Sequence, residues 1–458
     1  MQHIHFIGIC GTAMGSVAAA MQAKGFTVTG SDENIYPPMS TFLEQQGVEI
    51  FPGYKAGNIP ESAQVIVVGN AISRGNEEAE AALERKLLYV SLPEVLKEHF
   101  LRGKRNLVVT GTHGKTTTSS LLAWLLKSAG VDPSHMIGGI PRNLGKGAAF
   151  TDSEFVVLEG DEYDTAFFDK RSKFLHYLPE VVIVNNIEFD HADIYDSLDE
   201  IKLTFKRLLN VVPRNGIAFV NGDCVHSMEV SAGAPAPIKT VGLGTHCDLR
   251  ITGIDYGREI SSFDLDGETY ALPMAGEFNV RNAAMAVCAA RFSGFSPDQI
   301  RKGLLSFGGI ARRQEVRGVA GGIRVIDDFA HHPTAIGLAI DSLRQQYPGS
   351  RIWVIFEPRS NTTRRNIFQD ELAVALGKAD LAVVPAVPNP EKVAEADRLD
   401  PGKLVGDVEA SGTSCWYCES VDDIVELVAR EGQAGDTVAV LSNGGFGGIH
   451  QKLLDRLA

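Results

Sequence analysis

Short apolar runs alternate along this chain with segments in which apolar residues recur at helical spacing. Near the N-terminus, the runs at 3–9, 26–30 and 63–69 predict strands, and 13–24 predicts a helix. Strands that alternate with helices form βαβ units, in which the strands pair in parallel. The N-terminal region therefore predicts a parallel sheet.

Two further α/β series follow, and the stretches 101–106 and Arg312-Arg313 separate them. The predicted elements of the second series, including a hairpin with Asp266-Gly267 at its turn, are 106–110, 116–129, 154–160, 181–187, 199–211, 249–274, 280–293 and 297–306. Those of the third series are 322–328, 334–346, 351–358, 370–378, 381–387 and 437–454, the last with a flexible glycine-rich loop able to wrap a ligand. We therefore expect an α/β protein with domains at 1–105, 106–312 and 313–458.

Composition is that of an ordinary globular protein, with 458 residues, 44% hydrophobic and 22% charged. The net charge of −14 argues against binding to nucleic acid or to an anionic membrane surface. We see no signal peptide and no apolar run of the roughly 20 residues that span a bilayer. The six dispersed cysteines fit a reducing cytoplasm, and we expect Cys415 and Cys418 to lie on a strand without a redox role.

A strand, a glycine turn and a helix start together predict a phosphate site in the second series. Backbone N–H groups and the helix N-terminus favour an anion there, Lys115 adds a positive charge, and Thr116 adds a hydroxyl for Mg²⁺. The spacing is shorter than that of the usual phosphate-binding loop, because Gly111 lies three residues before Gly114. The loop comprises Gly111, Thr112, His113, Gly114, Lys115, Thr116 and Thr117.

Acidic residues follow the next two strands of the same series. Glu159, with Asp161, Glu162 and Asp164 close behind, ends one strand, and a second acidic stretch at 188–193 contains His191. Ligands bind beyond the carboxyl ends of strands in open α/β sheets, and Mg²⁺ prefers oxygen ligands. The two stretches therefore predict Mg²⁺ beside the phosphate loop.

The first and third series carry their own candidate sites at strand ends. Gly8, Gly11 and Gly15 form a glycine-rich turn with Cys10 in place of a glycine, and Asp32 ends the next strand. This turn predicts a nucleotide diphosphate, with a nicotinamide cofactor as the alternative. In the third series, strand ends carry acids, histidines and arginines suited to carboxylates or phosphates, namely Asp327, Asp328, His331, His332, Arg359, Asn361, Arg364 and Arg365.

These motifs resemble, in their order, those of the Mur ligases of peptidoglycan metabolism. The stretches that carry the resemblance are TGTHGKTTT, NNIEFDH, GEFNVRNA, ARRQE, DDFAHHPT and EPRSN, and they cover essentially the whole chain. The shortened loop is shared with folylpolyglutamate synthetases, so it is not decisive alone. The resemblance implies a Rossmann-like N-terminal domain, a central P-loop ATPase-like domain and a Rossmann-like C-terminal domain.

Within the family, 161–177, 357–362 and 442–454 resemble the members that join the tripeptide L-Ala-γ-D-Glu-meso-diaminopimelate to UDP-N-acetylmuramate in peptidoglycan recycling. The implied reaction consumes ATP with Mg²⁺ in the cytoplasm. It passes through an acyl phosphate on the substrate carboxylate, which the peptide amine attacks. Ligation of L-alanine to the same nucleotide is the alternative. The oligomeric state, monomer or dimer, stays open.

The resemblance also implies roles for single residues. Lys115 would hold the β- and γ-phosphates, and Thr116, Glu159 and His191 would bind Mg²⁺. Other residues would complete the ATP site, namely Asn279, Asn282, Arg313 and Asp328. His331, His332 and Arg359 would lie toward the incoming peptide, with Lys115, Glu159 and His191 as the other catalytic residues. The UDP substrate would contact Gly8, Cys10, Gly11, Thr12, Ala13, Met14 and Asp32.

Two hypotheses compete with the ligase. A P-loop ATPase or switch would use the same phosphate loop, but it would not need a third unit with its own arginines and histidines. A nicotinamide dehydrogenase would use the first unit, against which Cys10 argues, because a glycine at that position lets the backbone approach a pyrophosphate.

Overall fold

The structure is a computed structural model that describes residues 2–458. Its N-terminal part is a parallel sheet with strand order β3-β2-β1-β4-β5. The elements are β1 (His3–Ile7), α1 (Thr12–Ala23), β2 (Thr27–Asp32), α2 (Met39–Gln45), β3 (Glu49–Pro52), β4 (Ala63–Val68), α3 (Glu77–Glu84), β5 (Tyr89–Ser91) and α4 (Leu92–Leu96). The parallel sheet expected here is confirmed.

The central part is built on a larger mixed sheet with strand order β17-β16-β15-β14-β13-β12-β6-β9-β7-β8. Its elements, with the separate hairpin β10–β11, are β6 (Arg105–Thr110), α5 (Lys115–Ser128), β7 (Ser134–Met136), β8 (Ala148–Ala149), β9 (Phe155–Glu159), β10 (Asp164–Ala166), β11 (Asp169–Ser172), β12 (Val181–Val184), α6 (Leu198–Asn210), β13 (Ile217–Asn221), α7 (Val225–Ser231), β14 (Ile238–Gly242), β15 (Leu249–Tyr256), β16 (Ser261–Leu265), β17 (Glu268–Leu272), α8 (Glu277–Phe292) and α9 (Pro297–Leu305). Strands β12, β6 and β9 are neighbours and run parallel, so their carboxyl ends meet.

The C-terminal part is a sheet with strand order β18-β19-β23-β20-β21-β22, in which only β18 is antiparallel. Its elements are β18 (Glu315–Ala320), β19 (Ile323–Asp328), α10 (Pro333–Gln346), β20 (Ile352–Phe356), α11 (Gln369–Leu376), β21 (Leu381–Pro385), α12 (Pro401–Ala410), β22 (Ser414–Cys418), α13 (Val421–Glu431), β23 (Thr437–Leu441) and α14 (Ile449–Leu457). The ends of β19, β23 and β20 lie side by side and carry the loops predicted as sites.

Buried apolar side chains cover both faces of the central strands of these sheets. Strand β6 is buried from Asn106 to Thr110, and it packs on α5, whose first turns are also buried. A strand buried on both faces needs a continuous apolar run, which explains why the central strands were visible in the sequence. The same burial fixes the start of α5, and with it the phosphate loop, in one position.

Two local expectations are confirmed by the backbone. Asp266 and Gly267 both have positive φ, at 52° and 79°, as a two-residue hairpin turn between β16 and β17 requires. Cys415 and Cys418 lie on β22 as free thiols, and they pack into different hydrophobic clusters. Burial raises the pKa of Cys415 to about 12, which keeps it a thiol. No helix within residues 2–458 combines the length and apolar character that a membrane span requires.

Candidate active site

The phosphate loop connects the end of β6 to the start of α5. Gly111 and Gly114 both have positive φ, at 123° and 80°. A Cβ at Gly111 would lie 2.9 Å from the backbone nitrogen of Asn186, so the close approach also requires glycine. The Asn186 side chain in turn accepts a hydrogen bond from the backbone N–H of His113 at 2.7 Å. The loop is therefore shaped from the neighbouring strand β12 as well as from its own sequence.

Lys115 occupies the first position of α5 and turns back over the loop. Its Nζ donates to the carbonyl of Gly111 at 2.7 Å and to both carboxylate oxygens of Glu162 at 2.9 and 3.0 Å. Burial alone would lower the pKa of Lys115, but the carboxylates of Glu162 and Asp161 outweigh it and raise that pKa. The lysine is therefore a fixed cation at the mouth of the loop.

Glu162 also contacts His191, whose Nε2 lies 3.1 Å from its Oε1. Burial would raise the pKa of Glu162, but Lys115 and His191 outweigh it and lower that pKa. Burial alone would lower the pKa of His191, but its hydrogen bond to Glu162 and the charges of Glu162 and Asp190 together outweigh burial and raise that pKa. His191 has a φ of 56°, a left-handed conformation that is uncommon for a histidine. One carboxylate thus orients two predicted catalytic residues.

Thr116 and Glu159 form a second pair on the other side of Lys115. The Thr116 hydroxyl donates to Glu159 Oε1 at 2.9 Å, and the backbone N–H of Gly138 donates to Oε2 at 2.7 Å. Arg313, from beyond the central sheet, donates through Nη2 to the same hydroxyl at 3.3 Å. Burial raises the pKa of Glu159. A hydroxyl and a carboxylate at this separation are oxygen donors of the kind that Mg²⁺ prefers, so the pair fits that ion.

Side-chain amides gather on the far side of the loop, against α8. Asn282 Oδ1 accepts from the Thr118 hydroxyl at 3.2 Å, and Asn185 Nδ2 donates to the same hydroxyl at 3.1 Å. Asn282 Nδ2, Asn185 Oδ1 and Asn279 Oδ1 are buried and have no hydrogen-bond partner within residues 2–458. Buried amide groups rarely stay unpaired, so this set fits a polar ligand such as a nucleotide base.

The C-terminal part faces the loop with its own strand ends. His332 Nε2 lies 3.2 Å from the carbonyl oxygen of Phe189, and burial lowers the pKa of His332 to about 3, so its ring is neutral. His331 Nε2 lies 4.0 Å from Asp190 Oδ2. Burial raises the pKa of Asp328, which accepts from the backbone N–H groups of Gln314 and Ala330 at 2.8 and 2.7 Å.

The glycine-rich turn of the N-terminal sheet is built on the ends of β1 and β2. The backbone N–H of Cys10 donates to Asp32 Oδ2 at 2.9 Å, and that of Asn34 donates to Oδ1 at 2.9 Å. Gly11 caps α1, and Gly8 has a φ of 84°. Asp32 therefore holds the turn in place by accepting hydrogen bonds from two backbone N–H groups.

Three family models match consecutive parts of the chain. They are described as "Mur ligase family, catalytic domain" at 3–104, "Mur ligase middle domain" at 109–290 and "Mur ligase, glutamate ligase domain" at 312–444. A UDP-N-acetylmuramate–L-alanyl-γ-D-glutamyl-meso-2,6-diaminoheptandioate ligase from Escherichia coli is 43% identical, over 99% of this chain and 98% of the relative.

The chain belongs to the Mur ligase family. A murein peptide ligase structure from Psychrobacter arcticus covers 100% of this chain and 99% of its own, with 37% identity and a TM-score of 0.72. A UDP-N-acetylmuramate–L-alanine ligase from Syntrophus aciditrophicus is 31% identical, over 100% of this chain and 94% of the relative. Family membership confirms the three-part α/β architecture inferred from the motifs, and it removes the switch and dehydrogenase hypotheses.

Several predicted residues of this Mur ligase are joined by hydrogen bonds. One set runs from Arg313 through Thr116 to Glu159, and the other from Lys115 through Glu162 to His191. Asn279 and Asn282 lie on one helix, and Gly114 is so close to Asn282 that a Cβ would overlap its amide. Thr112 and Thr117 are buried in the loop and its first helical turn.

Other predicted residues are less directly connected. Arg359 lies against Gly444, so closely that a Cβ added at Gly444 would overlap the Arg359 guanidinium. Within residues 2–458, the turn from Gly8 to Met14 makes no hydrogen bond to the phosphate loop. Hairpin β10–β11 is one link between the N-terminal and central parts, because Phe168 packs on Tyr89 with ring centroids 4.9 Å apart. Phe100 and Phe150 form another, with ring centroids 4.4 Å apart.

Three residues of the site received no role from the sequence. Glu162 and Glu188 belong to acidic stretches that the sequence placed at strand ends, but the pattern did not separate them from their neighbours. Asn185 sits at the end of β12 and lies between the loop and α8. A signal for Asn185 exists in the polar pair Asn185-Asn186, which interrupts an apolar strand.

Proposed function

We propose that this Mur ligase joins L-Ala-γ-D-Glu-meso-diaminopimelate to UDP-N-acetylmuramate with consumption of ATP, in peptidoglycan recycling. The observation that carries the proposal is the full-length 43% identity to the E. coli tripeptide ligase, against 30–33% to alanine ligases. The arrangement of Lys115, Thr116 and Glu159 supports phosphoryl transfer.

We assign one substrate to each part of the chain. Residues 1–105 would bind the UDP moiety through Gly8, Cys10–Met14 and Asp32. Residues 106–312 would bind ATP, and 313–458 would bind the peptide and complete the ATP site. In this division, residues 1–105 would supply the carboxylate to be activated, and residues 313–458 the amine that attacks it.

Lys115 is the cation that the β- and γ-phosphates would meet, and its tether to Glu162 fixes its position before ATP enters. Thr116, Glu159 and His191 are the proposed ligands of Mg²⁺, which would neutralise charge on the phosphates. Transfer of the γ-phosphoryl group to the substrate carboxylate gives an acyl phosphate, which the peptide amine then attacks with release of phosphate. The chain supplies positioning and charge, which are the main sources of catalysis in phosphoryl transfer.

Asn279 and Asn282 carry the unpaired amide atoms that would receive the base. Arg313 donates to Thr116 and would meet the phosphates, while Asp328 holds the backbone of the linker at Gln314. His331, His332 and Arg359 would line the approach of the peptide. Closure of the three parts around the reacting groups would exclude water, which would otherwise hydrolyse an acyl phosphate.

The test measures phosphate release with UDP-N-acetylmuramate and either the tripeptide or L-alanine as amine donor. We expect release only when ATP, Mg²⁺, the nucleotide sugar and the tripeptide are all present. Turnover with L-alanine and none with the tripeptide would transfer the assignment to the alanine ligase. ATP hydrolysis without a carboxylate substrate would contradict the ligase mechanism.

Two lysines of one helix provide a matched pair of variants. Lys115→Met should lower turnover by about 10²- to 10³-fold, the typical cost of removing one positioned transition-state donor. Lys127→Met, at an exposed position paired with Asp132, should leave turnover unchanged.

The proposal includes a cytoplasmic location for the reaction. Free thiols and the consumption of ATP fit that compartment.

A further inference from the structure

Two histidines and a glutamate meet where the central and C-terminal parts touch. His113 Nε2 lies 3.2 Å from Glu188 Oε2, and His332 Nδ1 lies 3.5 Å from the same oxygen. The three ligand atoms all fall within 4.8 Å of one another. His113 belongs to the phosphate loop, Glu188 follows β12, and His332 precedes α10. The cluster therefore joins elements that are far apart in the sequence.

The ring of His332 is oriented for coordination. Its Nε2 lies 3.2 Å from the carbonyl oxygen of Phe189, an acceptor, so this nitrogen carries the proton. The lone pair is then on Nδ1, which faces Glu188 and accepts a long hydrogen bond from the backbone N–H of Thr334 at 3.3 Å. A bound ion would take the place of that donor. A second ring nitrogen that donates to a backbone carbonyl is the arrangement that normally orients metal-binding histidines. The His113 ring lies alongside, with ring centroids 4.5 Å apart.

The donor set discriminates between metal ions. Two imidazole nitrogens and one carboxylate form the His₂Glu set of zinc sites with one open coordination position. The Mg²⁺ ligands proposed above are mainly oxygen atoms, and none of the three residues of this cluster is among them. Glu188 also accepts from the Thr334 hydroxyl at 2.6 Å, which holds the carboxylate in place. A cavity of about 220 Å³, lined also by Phe189, Phe368 and Glu371, gives room for a further ligand.

We propose that His113, Glu188 and His332 form a binding site for a divalent transition metal ion of the Zn²⁺ type, separate from the Mg²⁺ site. The ion would connect the ATP loop to the C-terminal part, because two of its ligands come from one side and one from the other. Bound there, it would stabilise the contact between these parts and slow their separation. The site does not depend on the identity of the substrates.

The test titrates the full-length protein with Co²⁺ in millimolar Mg²⁺, which occupies the oxygen-rich sites. We expect one equivalent to give the intense visible absorption of a four-coordinate ion, which Zn²⁺ then displaces. His113→Asn and His332→Gln should each lose this equivalent, with an affinity loss beyond the about 10- to 100-fold caused by removal of an outer-shell partner. Zn²⁺ should raise the unfolding temperature of the parent protein but not of His113→Asn.

The matched control is His246→Gln. His246, Asp223 and Cys247 form another group whose ligand atoms lie within 4.8 Å of one another, on the central part alone. This variant should retain the equivalent and the Zn²⁺-induced shift in unfolding temperature. Co²⁺ binding that survives in both His113→Asn and His332→Gln, or that disappears in His246→Gln, would overturn the assignment. Because binding is measured without substrates, its failure is independent of the ligase proposal.

Discussion

Glu162 is the residue on which the charges of the site converge. It holds Lys115 and His191 at hydrogen-bond distance while it is almost completely buried. A buried carboxylate without partners would be costly, and the charge of Lys115 and the hydrogen bond with His191 offset that cost. Glu162 holds Lys115 in position before substrates arrive. Phosphate groups that then approach would share the charge of Lys115 with Glu162. The sequence pattern predicts the acidic stretch, but only the fold shows that Glu162, and not its neighbours, contacts both Lys115 and His191.

Gly114 allows a prediction about nucleotide binding. Its φ of 80° and the overlap of a Cβ with the Asn282 amide mean that Gly114→Ala must displace a residue of the proposed base pocket. We expect the affinity for ATP, measured by calorimetric titration, to fall by about 10- to 100-fold, which equals about 1.4–2.8 kcal/mol.

Gly130→Ala is the control for Gly114→Ala. Gly130 also has a positive φ, of 94°, but a Cβ there would meet nothing within 4 Å. It should therefore show only the backbone strain of about 1–2 kcal/mol in unfolding free energy, with ATP affinity unchanged. Equal losses of ATP affinity in the two variants would mean that backbone strain, and not the contact with Asn282, is responsible.

Asp436 allows a prediction about pH. It accepts from Arg351 at 2.6 Å, from the Trp353 indole at 2.9 Å and from the backbone of Gln433 at 2.9 Å. Burial alone would raise the pKa of Asp436, but these donors outweigh it and hold the pKa below 3.8. Asp436→Asn should lower the unfolding free energy by about 1–3 kcal/mol, because these three donors would lose a charged acceptor.

The sign of the pH effect follows from the lowered pKa of Asp436. Its stabilising contribution is complete above the unfolded-state value of 3.8 and is lost as the pH falls through the lower folded-state value. Urea unfolding followed by tryptophan fluorescence should thus give a constant difference between parent and variant from about pH 8 to about pH 5, and a smaller one at lower pH. Asp341→Asn, in an exposed pair with Lys378, should have little effect at any pH. A difference that widens toward acid would contradict the argument.

At the scale of elements, the loop after β20 holds the segment that carries His191. The Thr362 hydroxyl donates to Asp190 Oδ1 at 3.0 Å and accepts from the backbone N–H of Ala192 at 3.3 Å. Asn361 Nδ2 donates to Asp193 Oδ2 at 2.8 Å. These contacts bracket His191 on both sides and support its left-handed backbone. Thr362 is therefore a positioning residue for the proposed metal ligand.

Removal of the Thr362 hydroxyl should affect catalysis through His191. We expect Thr362→Val to lower kcat/KM for the peptide about tenfold, since two hydrogen bonds of about 0.5–1.5 kcal/mol each are lost. Thr362→Ser should restore most of the activity, because it keeps the hydroxyl. Thr413→Val removes a hydroxyl that bonds to Gly377 and Ala379 inside the C-terminal part. If this control lowered activity as much, domain stability would be the explanation.

Elements and their contacts were predictable to different degrees. The buried central strands and α5 follow from continuous apolar runs and from the glycine turn, and their positions agree with the structure. Short edge elements such as β8, with two residues, carry too little pattern to be recognised. Contacts such as Thr362 with Asp190 join residues 172 positions apart, and no local pattern encodes that distance. The sequence therefore predicted which strand ends form the candidate site, but not which side chains pair with one another there.

At the scale of the whole molecule, polar contacts join the central and C-terminal parts around the phosphate loop. They include Arg313 with Thr116, Thr334 with Glu188 and Thr362 with Asp190. Arg142 adds an ion pair to Glu315 at 2.9 Å, next to the linker. Most of these contacts are hydrogen bonds of modest strength, so we expect that the two parts can separate in solution. The order of motifs predicted the three parts, but not the contacts between them.

Weakening the contacts should open the molecule in solution. The double variant Thr334→Val, Thr362→Val removes three hydrogen bonds, worth about 1.5–4.5 kcal/mol together, enough to shift an open–closed equilibrium by about tenfold or more. Small-angle X-ray scattering without nucleotide should therefore give a larger radius of gyration for the double variant than for the parent protein. Addition of a non-hydrolysable ATP analogue and UDP-N-acetylmuramate should reduce the difference, because ligands that contact both parts favour closure. Thr413→Val should match the parent, and an unchanged radius in the double variant would show that other contacts suffice to keep the parts together.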